Sequence, residues 1–379
     1  MNIGLDGKKA LSNFTGIGNY SRNHINLLTR NKDFSCTLFA PRKGKEECLK
    51  ALNEPESISI VTPLSGSSVS RNYWRNFSIV KDIRKSGVDI YHGLSNEIPF
   101  GIADAGCLSA VTIHDLIFLR YPDTYDFLSR KLLEIKTKYA CRHADAIVAV
   151  SEQTKRDIID FYGVPADKIT VLYQGCHDVF RRKVSTDEIS AIRQTYGIPE
   201  KYIVSVGTIE HRKNHSTIVK AFSQAGVDAT LVQVSKPTRL QKELESTISE
   251  LGIGNKVKIL NNVPLEHLPA LYQGSIASVY ASYFEGFGIP VLEGLTSGVP
   301  VIAATGSCLE EAGGEGAVYV NPFDVREMAE AMSRVVSDSE LRRSLVAGGQ
   351  KHLSRFTEEA LAANVYDFYR RLYATKSGR

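Results

Sequence analysis

Two glutamates frame a glycine-rich loop in the second half of the chain. Glu285 and Glu293 stand eight positions apart in the segment 283–293, which follows an apolar strand and leads into a helix. Gly286 and Gly288 let the backbone come close to a ligand, and the free N–H groups at a helix start attract an anion. Because a carboxylate accepts hydrogen bonds from sugar hydroxyls, the segment could hold a sugar and an anion together. A glycine loop with two solvated glutamates is an equally good interpretation of the spacing alone.

A pair of basic residues follows the first strand of the same half. Arg212 and Lys213 stand in Val206-Gly-Thr-Ile-Glu-His-Arg-Lys-Asn214, at a loop between a strand and a helix. In an open α/β sheet this edge is where ligands bind, and two cations there match a diphosphate. For an isolated Arg-Lys pair, a solvated basic turn is the other interpretation.

The first half of the chain offers two further candidates. Thr15-Gly-Ile-Gly-Asn-Tyr20 lies between the first strand and the first helix, where Gly16 and Gly18 could bring the backbone close to a phosphate. It is only a partial dinucleotide fingerprint, since the third glycine would fall at Ser21. His114 ends an apolar strand, a position that suits either a site residue or a structural histidine.

Composition limits the class of protein. The 379 residues are enough for two or three domains. Lys and Arg number 46 against 42 Asp and Glu, and the net charge of +4 lacks the basic excess of a dedicated nucleic-acid binder. The six cysteines form no CxxC pair, which favours neither a zinc ribbon nor a disulfide framework and suits a reducing compartment. Without a targeting signal or an apolar stretch of ~18 residues, we expect a soluble, cytoplasmic protein that could still lie on a membrane surface.

Strands and helical segments alternate along most of the chain, which predicts βαβ units and parallel sheets. The predicted strands of the first half include Ile58–Val61, Val88–Tyr91, Ala110–Ile113, Ala146–Val150 and Ile169–Leu172. Those of the second half are Tyr202–Val206, Ala229–Val234, Val257–Leu260, Ala277–Tyr280, Pro300–Ala303 and Ala317–Val320. The last part is predicted to be helical only, at Val325–Val336, Glu340–Leu353 and Glu358–Tyr373.

The alternation therefore predicts an α/β fold of two doubly wound domains. Residues 1–178 and 201–356 would form the two domains, and the polar segment 179–200 would be the hinge between them. A final helix is predicted within 357–379, where apolar residues recur at helical spacing.

Taken together, these segments resemble glycosyltransferase family 4, whose members are retaining enzymes with the GT-B fold. The key match is the family's E-x7-E signature, here Glu285 to Glu293 in EGFGIPVLEGLTSGVPVI. The segments VGTIEHRKN, TGIGNY and TIHDLIFLRYPD match its basic, glycine-rich and histidine-bearing loops. The resemblance covers nearly the whole chain, from Asn2 to about Tyr373, and is to an RKN-type subgroup of bacterial mannosyltransferases.

This resemblance implies a fold and a set of roles. Two Rossmann-like domains would face a central cleft, the N-terminal one binding the acceptor and the C-terminal one the nucleotide sugar. The C-terminal helix would cross back to the N-terminal domain. The residues implied in catalysis are His114, Glu285, Arg212 and Lys213. The residues implied in donor binding are Gly16, Gly18, Gly207, Arg212, Lys213, Val263, Glu285, Gly286, Phe287, Gly288 and Glu293.

The resemblance also implies a reaction. A hexose would pass, with retention, from a nucleotide-diphosphate sugar to a growing glycan or lipid-linked acceptor in surface polysaccharide or lipopolysaccharide synthesis. GDP-mannose is the favoured donor, with a UDP-sugar next. Because the chain has no DxD motif, we expect no metal and no other cofactor. A GT-B-fold nucleotide-sugar epimerase and a catalytically inactive nucleotide-sugar-binding module are the alternatives.

Two basic segments of the N-terminal half suggest that the protein docks on an anionic membrane, at the inner face of the plasma membrane. Arg71–Lys85 and Ser129–His143 each carry five basic residues against one acidic residue. Trp74 and Phe77 in the first segment could enter the lipid interface. A solvated basic face is the alternative for either segment.

Overall fold

The structure, a computed structural model, describes residues 1–53, 55–64 and 66–378. It divides the chain into two compact units, of which the first combines Met1–Gln174 with the chain from Glu358 onward, and the second is Gly175–Thr357. Each unit is built on a parallel sheet, so the predicted α/β class with two doubly wound domains is confirmed.

The first unit, in its described residues, has a seven-stranded sheet of order β3-β2-β1-β4-β5-β6-β7. The strands are β1 (Asn2–Asp6), β2 (Ser35–Phe39), β3 (Ser59–Val61), β4 (Ile90–Gly93), β5 (Leu108–Ile113), β6 (Ala146–Ala149) and β7 (Ile169–Val171). The helices before residue 175 are α1 (Gly16–Thr29), α2 (Glu46–Lys50), α3 (Ser68–Tyr73), α4 (Ile79–Ser86), α5 (Ile117–Arg120), α6 (Phe127–His143) and α7 (Glu152–Tyr162). A π-helical turn, Trp74–Ser78, joins α3 to α4.

The second unit has, among its described strands, a six-stranded sheet of order β10-β9-β8-β11-β12-β13. The strands are β8 (Tyr202–Val206), β9 (Thr230–Ser235), β10 (Val257–Asn261), β11 (Ala277–Tyr280), β12 (Val301–Ala304) and β13 (Ala317–Val320). The helices are α8 (Thr186–Tyr196), α9 (His215–Ala225), α10 (Gln241–Glu250), α11 (Leu268–Gln273), α12 (Ile289–Thr296), α13 (Leu309–Gly313), α14 (Val325–Ser337) and α15 (Ser339–His352). The predicted hinge, 179–200, lies inside this unit, where Ile192 of α8 packs in its core.

Local sequence explains these elements. β5 is buried at every position, as expected of a strand in a parallel sheet that is covered on both faces. Helix α7 begins at Ser151, whose hydroxyl accepts the Thr154 N–H at 3.0 Å, and ends at Gly163 with a φ of 64°. The predicted strands lie within about two residues of the observed ones, because buried apolar runs are a strong signal.

Both sheets reverse their strand order at one place. The reversal falls between β1 and β4 in the first unit and between β8 and β11 in the second. In open α/β sheets, ligands bind outside the carboxyl ends of the strands at such a switch point. The loop before α1 follows β1, and the loops before α9 and α12 follow β8 and β11.

Part of the basic segment 71–85 faces the interior of the unit and is not available to lipid. Trp74 is 7% exposed, and its indole N–H donates to Asp82 at 2.6 Å, so the prediction that it enters a membrane interface is wrong. The buried guanidinium of Arg75 pairs with Asp6 at 2.6 Å and with Glu97 at 2.5 Å. The physical reason is that Asp6 ends β1 inside the unit, where an ionised carboxylate needs a partner.

The final helix, α16 (Glu358–Ala374), belongs to the first unit and completes a polar network in its interior. The buried hydroxyl of Tyr369 lies 2.8 Å from His24 Nε2 and 2.6 Å from His92 Nδ1. His92 Nε2 lies 2.9 Å from the Thr112 hydroxyl, which is 3.1 Å from the Tyr20 hydroxyl. Burial lowers the pKa of His24 to about 4, so its imidazole is neutral, and the Tyr369 hydroxyl donates to one ring and accepts from the other.

We expect Tyr369→Phe to reduce the free energy of unfolding by about 1–3 kcal/mol, because it leaves buried imidazole nitrogens without a partner. Urea unfolding measures the change. Tyr366→Phe on the same helix is the matched control, since its half-buried hydroxyl donates to the Leu27 carbonyl at 2.7 Å and water can replace it. An equal decrease in the free energy of unfolding for the two variants would show that the network stabilises the protein no more than a single hydroxyl does.

Candidate active site

Two loops of the second unit meet at the switch point of its sheet. β8 and β11 are paired, so the segments that follow their carboxyl ends start side by side. The first segment makes a 3₁₀ turn at His211–Lys213, and the second runs to α12. The Tyr283 N–H donates to the Arg212 carbonyl at 3.1 Å, and the Arg212 guanidinium donates to the Phe284 carbonyl at 2.6 Å. The predicted basic loop and the predicted glutamate loop are therefore joined by hydrogen bonds.

The Glu285 carboxylate is the centre of this arrangement. One oxygen, Oε1, lies 2.5 Å from the Arg212 guanidinium, accepts the Tyr280 hydroxyl at 2.6 Å and lies 4.0 Å from the Lys213 ammonium. Burial alone would raise the pKa of Glu285, but the charges of Lys213 and Arg212 and the Tyr280 hydrogen bond hold it below its ordinary value. Glu285 is therefore ionised at neutral pH and can accept hydrogen bonds from hydroxyl groups.

Arg212 and Lys213 differ in what they contact. Arg212 is committed to the protein, since it binds Glu285, the Phe284 carbonyl and, at 3.3 Å, the Ser282 hydroxyl. The Lys213 ammonium lies 3.3 Å from the Tyr280 hydroxyl and 5.6 Å from the centre of its ring. An ammonium group has three donors, so Lys213 is the better placed of the two cations to bind an anion.

Glycine fixes the path of the chain beside these cations. Gly288 has a φ of 121° at the start of α12, and a side chain there would come within 2.7 Å of Leu309. The neighbouring Phe287 is buried against the Phe356 ring, and Gly286 is half-buried. A Cβ at Gly207 would lie 3.3 Å from Cδ of Lys213, so the absence of a side chain leaves room for the lysine.

Glu293 lies one turn into α12 in a different electrostatic environment. Its side chain is half-buried, and its carboxylate accepts the Tyr272 hydroxyl at 3.2 Å. Burial raises the pKa of Glu293 to about 7, although the Tyr272 hydrogen bond and the charge of Lys213 act in the opposite direction. Near neutral pH the carboxyl group therefore exists in both protonation states. The predicted donor residue Val263 lies half-buried after β10, packed against the core that contains Val234.

The remaining predicted residues belong to the first unit. His114 is buried at the end of β5, and its Nε2 lies 2.9 Å from the Leu94 carbonyl. Burial lowers the pKa of His114 to about 4, so the neutral ring carries its proton on Nε2 and keeps Nδ1 as an acceptor. Gly18 is required by packing, because a Cβ there would lie 2.0 Å from the Asn13 carbonyl oxygen. Gly16 is exposed at the start of α1.

Sequence reasoning missed the tyrosines that organise both groups. Tyr280 links Glu285 to Lys213, Tyr272 holds Glu293, and the Tyr20 ring packs edge-on against His114 at 4.7 Å. Tyr280 could have been found, because it is the last residue of a predicted strand at the edge where ligands bind. Tyr272 gives no such signal, since its contact with Glu293 joins two different helices, α11 and α12. In the residues that the structure describes, no cluster of three His, Cys, Asp or Glu side chains could hold a metal ion.

Two family models match the chain. The model described as "Glycosyltransferase Family 4" matches residues 14–178, and the model described as "Glycosyl transferases group 1" matches 188–352. These two stretches coincide with most of the first and second units. The glycine loop and His114 fall in the first match, and the Arg212, Lys213, Glu285 and Glu293 group falls in the second.

Curated relatives and solved structures extend the comparison. O-antigen chain mannosyltransferase B of Escherichia coli is 25% identical over 288 residues, which cover 75% of this chain and 74% of that protein. O-antigen chain mannosyltransferase RfbU of Salmonella typhimurium is 29% identical over 229 residues, 59% of this chain and 60% of that protein. The crystal structure of Anabaena HepE in complex with UDP and glucose superposes with a TM-score of 0.76 at 18% identity, covering 98% of this chain and all of that one. The superposition with HepE shows that the two chains share a fold.

We expect the affinity for a nucleotide sugar to fall as the pH falls through about 7. The family resemblance implies that Glu293 binds the ribose; its ionised carboxylate would accept two hydroxyls and protonation would remove that capacity, so binding at pH ~6 should be about tenfold weaker than at pH ~8. Calorimetry with GDP-mannose measures this, because a diphosphate diester has no titration of its own near neutral pH. Glu293→Gln should bind weakly and lose the pH dependence. A variant that keeps the wild-type pH profile would place the titrating group elsewhere.

Proposed function

The chain belongs to glycosyltransferase family 4, and from that premise we propose that it transfers a hexose, with retention, from a nucleotide-diphosphate sugar to a glycan or lipid-linked acceptor. GDP-mannose is the first choice of donor and a UDP-sugar the second. The acceptor would belong to O-antigen or other surface polysaccharide synthesis, at the cytoplasmic face of a membrane. The observation that carries the proposal is the joint placement of Lys213, Arg212 and Glu285 at the switch point of the second sheet.

The electrostatics of this group suit a leaving diphosphate. When the bond between the sugar and the phosphate breaks, negative charge grows on the phosphate and the sugar becomes oxocarbenium-like. Lys213 would face that growing charge, while Arg212 would keep the Glu285 loop in place beside it. Fixed charges of this kind lower the barrier because they need no reorganisation during the reaction.

The carboxylates would act as hydrogen-bond acceptors, and not as nucleophiles. Glu285, ionised and held by three partners, would bind hydroxyls of the transferred sugar, and Glu293 would bind those of the ribose. His114, which the family resemblance implies in catalysis, would offer Nδ1 as a hydrogen-bond acceptor. The acceptor oxygen would then attack C1 from the face that the phosphate leaves, and the leaving phosphate oxygen would take the acceptor proton.

The named relatives support the choice of donor and acceptor. Both O-antigen proteins are called mannosyltransferases, which favours mannose and hence GDP-mannose. The UDP bound to HepE supports a nucleotide sugar in general and keeps UDP-hexoses as the second choice. Purified protein should therefore be offered GDP-mannose and UDP-glucose in parallel. Nuclear magnetic resonance of the product would identify the sugar, its linkage and its anomeric configuration; an inverted product or an epimerised free donor would overturn the proposal.

We expect Lys213→Ala to lower kcat by roughly two to three orders of magnitude. A charge-assisted contact to phosphate contributes about 1.5–3 kcal/mol to binding and more where charge develops in the transition state. Lys213→Arg should retain part of the activity because it keeps the charge. The exposed Lys220→Ala on α9 is the control, and thermal unfolding checks that all three variants are folded. A Lys213→Ala turnover within about threefold of wild type would remove Lys213 from the reaction.

We expect transfer to proceed without added divalent metal. The charge of the diphosphate would be met by Lys213 and by the N–H groups at the start of α12. The measurement is steady-state transfer after dialysis against EDTA, with and without added magnesium or manganese. Activity that disappears in EDTA and returns with either metal would contradict the expectation.

A further inference from the structure

The first unit exposes a group of large apolar side chains that the proposed reaction does not use. We call Val69, Tyr73, Phe77, Leu128, Leu132 and Ile135 the docking face. Each is between 47% and 78% exposed. Scattered exposed apolar residues are ordinary, but a contiguous patch of them marks an interaction surface.

One half of the docking face is a row on consecutive helical segments. Val69 and Tyr73 of α3 and Phe77 of the π-helical turn recur every four residues. The same spacing continues into α4 with the exposed Lys81 and Lys85. Since residues four apart are neighbours on a helix surface, the apolar part of this row adjoins its basic part, where Lys81 follows Phe77.

The other half lies on α6. Leu128, Leu132 and Ile135 follow the i, i+4, i+7 spacing of one helix face. Three basic residues occupy neighbouring positions on that helix: Lys131, Lys138 and Arg142. An ordinary surface helix points its apolar side inward, whereas this one keeps an apolar stripe outward with basic residues beside it.

Aromatic contacts join the two halves into one surface. The Tyr73 and Phe77 rings lie 5.2 Å apart, and Phe77 stacks on Phe100 at 5.3 Å. Phe100 in turn contacts Tyr139 of α6 at 4.5 Å, one turn beyond Ile135. The row on α3 and the stripe on α6 are therefore continuous through packed rings.

We propose that the docking face binds the surface of an anionic lipid bilayer. Its apolar side chains enter the boundary between headgroups and acyl chains, and the neighbouring basic residues lie at the level of the anionic headgroups. These neighbours are Lys81, Lys85, Lys131, Lys138 and Arg142. Not one helix among the described residues is long and apolar enough to cross a bilayer. The proposal deepens the proposed function, on which it rests for its purpose, because it brings the enzyme to a lipid-linked acceptor.

Charge favours a bilayer over a second copy of the chain. A two-fold dimer through the docking face would bring the basic residues of both copies into one interface, where an excess of like charge opposes association. Like charges that are brought together in an interface repel each other. An anionic surface meets the same residues with opposite charge and needs no shape complementarity.

The test is sedimentation with vesicles of phosphatidylethanolamine and phosphatidylglycerol, with phosphatidylcholine vesicles as the neutral arm. Wild type should bind the anionic vesicles and be partly released as salt rises from about 0.1 M to about 1 M, where screening shortens the range of the attraction from about 10 Å to about 3 Å. The apolar variant, Leu128→Gln with Leu132→Gln and Ile135→Gln, should bind at least about tenfold more weakly at every salt concentration. The basic variant should bind at least about tenfold more weakly and respond less to salt than wild type does. It carries Lys81→Gln, Lys85→Gln, Lys138→Gln and Arg142→Gln.

Matched controls come from the second unit. A basic control combines Lys220→Gln, Arg239→Gln, Lys242→Gln and Lys256→Gln, and Leu251→Gln is the apolar control; all five residues are exposed. Both controls should bind vesicles as wild type does. Donor hydrolysis without vesicles should stay within about twofold of wild type in every variant, since the substitutions are on the surface. This assay separates a failure of docking from a failure of the proposed transferase activity.

Three results would overturn the docking proposal. Recovery of wild type in the supernatant with anionic vesicles at low salt would exclude the contact. Vesicle binding that neither docking-face variant weakens places the contact elsewhere. Sedimentation equilibrium is the third measurement: a wild-type dimer that the apolar variant converts to a monomer would show that the docking face joins two copies of the chain.

Discussion

The largely buried carboxylate of Glu285 is the constraint on which the candidate site depends. It comes from the loop after β11, and the guanidinium that neutralises it comes from the loop after β8. A buried charge without partners would cost several kcal/mol, so the two loops cannot separate without exposing or neutralising it. The Tyr280 hydroxyl, at the end of β11, donates a further hydrogen bond to the Glu285 carboxylate. The ion pair thus fixes where Lys213 stands before any substrate arrives.

The first unit also neutralises acidic side chains at the edge of its sheet with an arginine. Asp6 at the end of β1 and Glu97 beyond β4 are compensated by Arg75, which reaches inward from the π-helical turn. Both units therefore carry acidic groups at the carboxyl edge of the sheet, with an arginine from a neighbouring segment. In the second unit a further cation, Lys213, contacts the same cluster and keeps donors for a ligand. In the first unit Lys136 already pairs with Glu97 at 2.8 Å.

Sequence periodicity and residue spacing were sufficient for the sheets and for most of the second-unit site. Buried β-branched runs located the strands, although β2, with Ser35, Cys36 and Thr37, gave little apolar signal. The loop spacing marked Glu285 and Lys213 as candidates, because both follow strands at the edge of a parallel sheet, and the family resemblance favoured them over solvated side chains. Burial of charge was not predictable: nothing in the sequence distinguishes Arg75 from the exposed basic residues beside it. Contacts such as Tyr369 with His92 join residues 277 positions apart and depend on where the last helix packs.

The assignment of the last helix to the first unit bears on how the protein is made. A ribosome releases the whole of the second unit, Gly175–Thr357, before Glu358 emerges. Until then the first unit lacks Tyr369, and the imidazoles of His24 and His92 lack their hydrogen-bond partner. The part of the chain that is synthesised first is consequently finished last, and its incomplete form is the stage at which a nascent chain would need protection by chaperones.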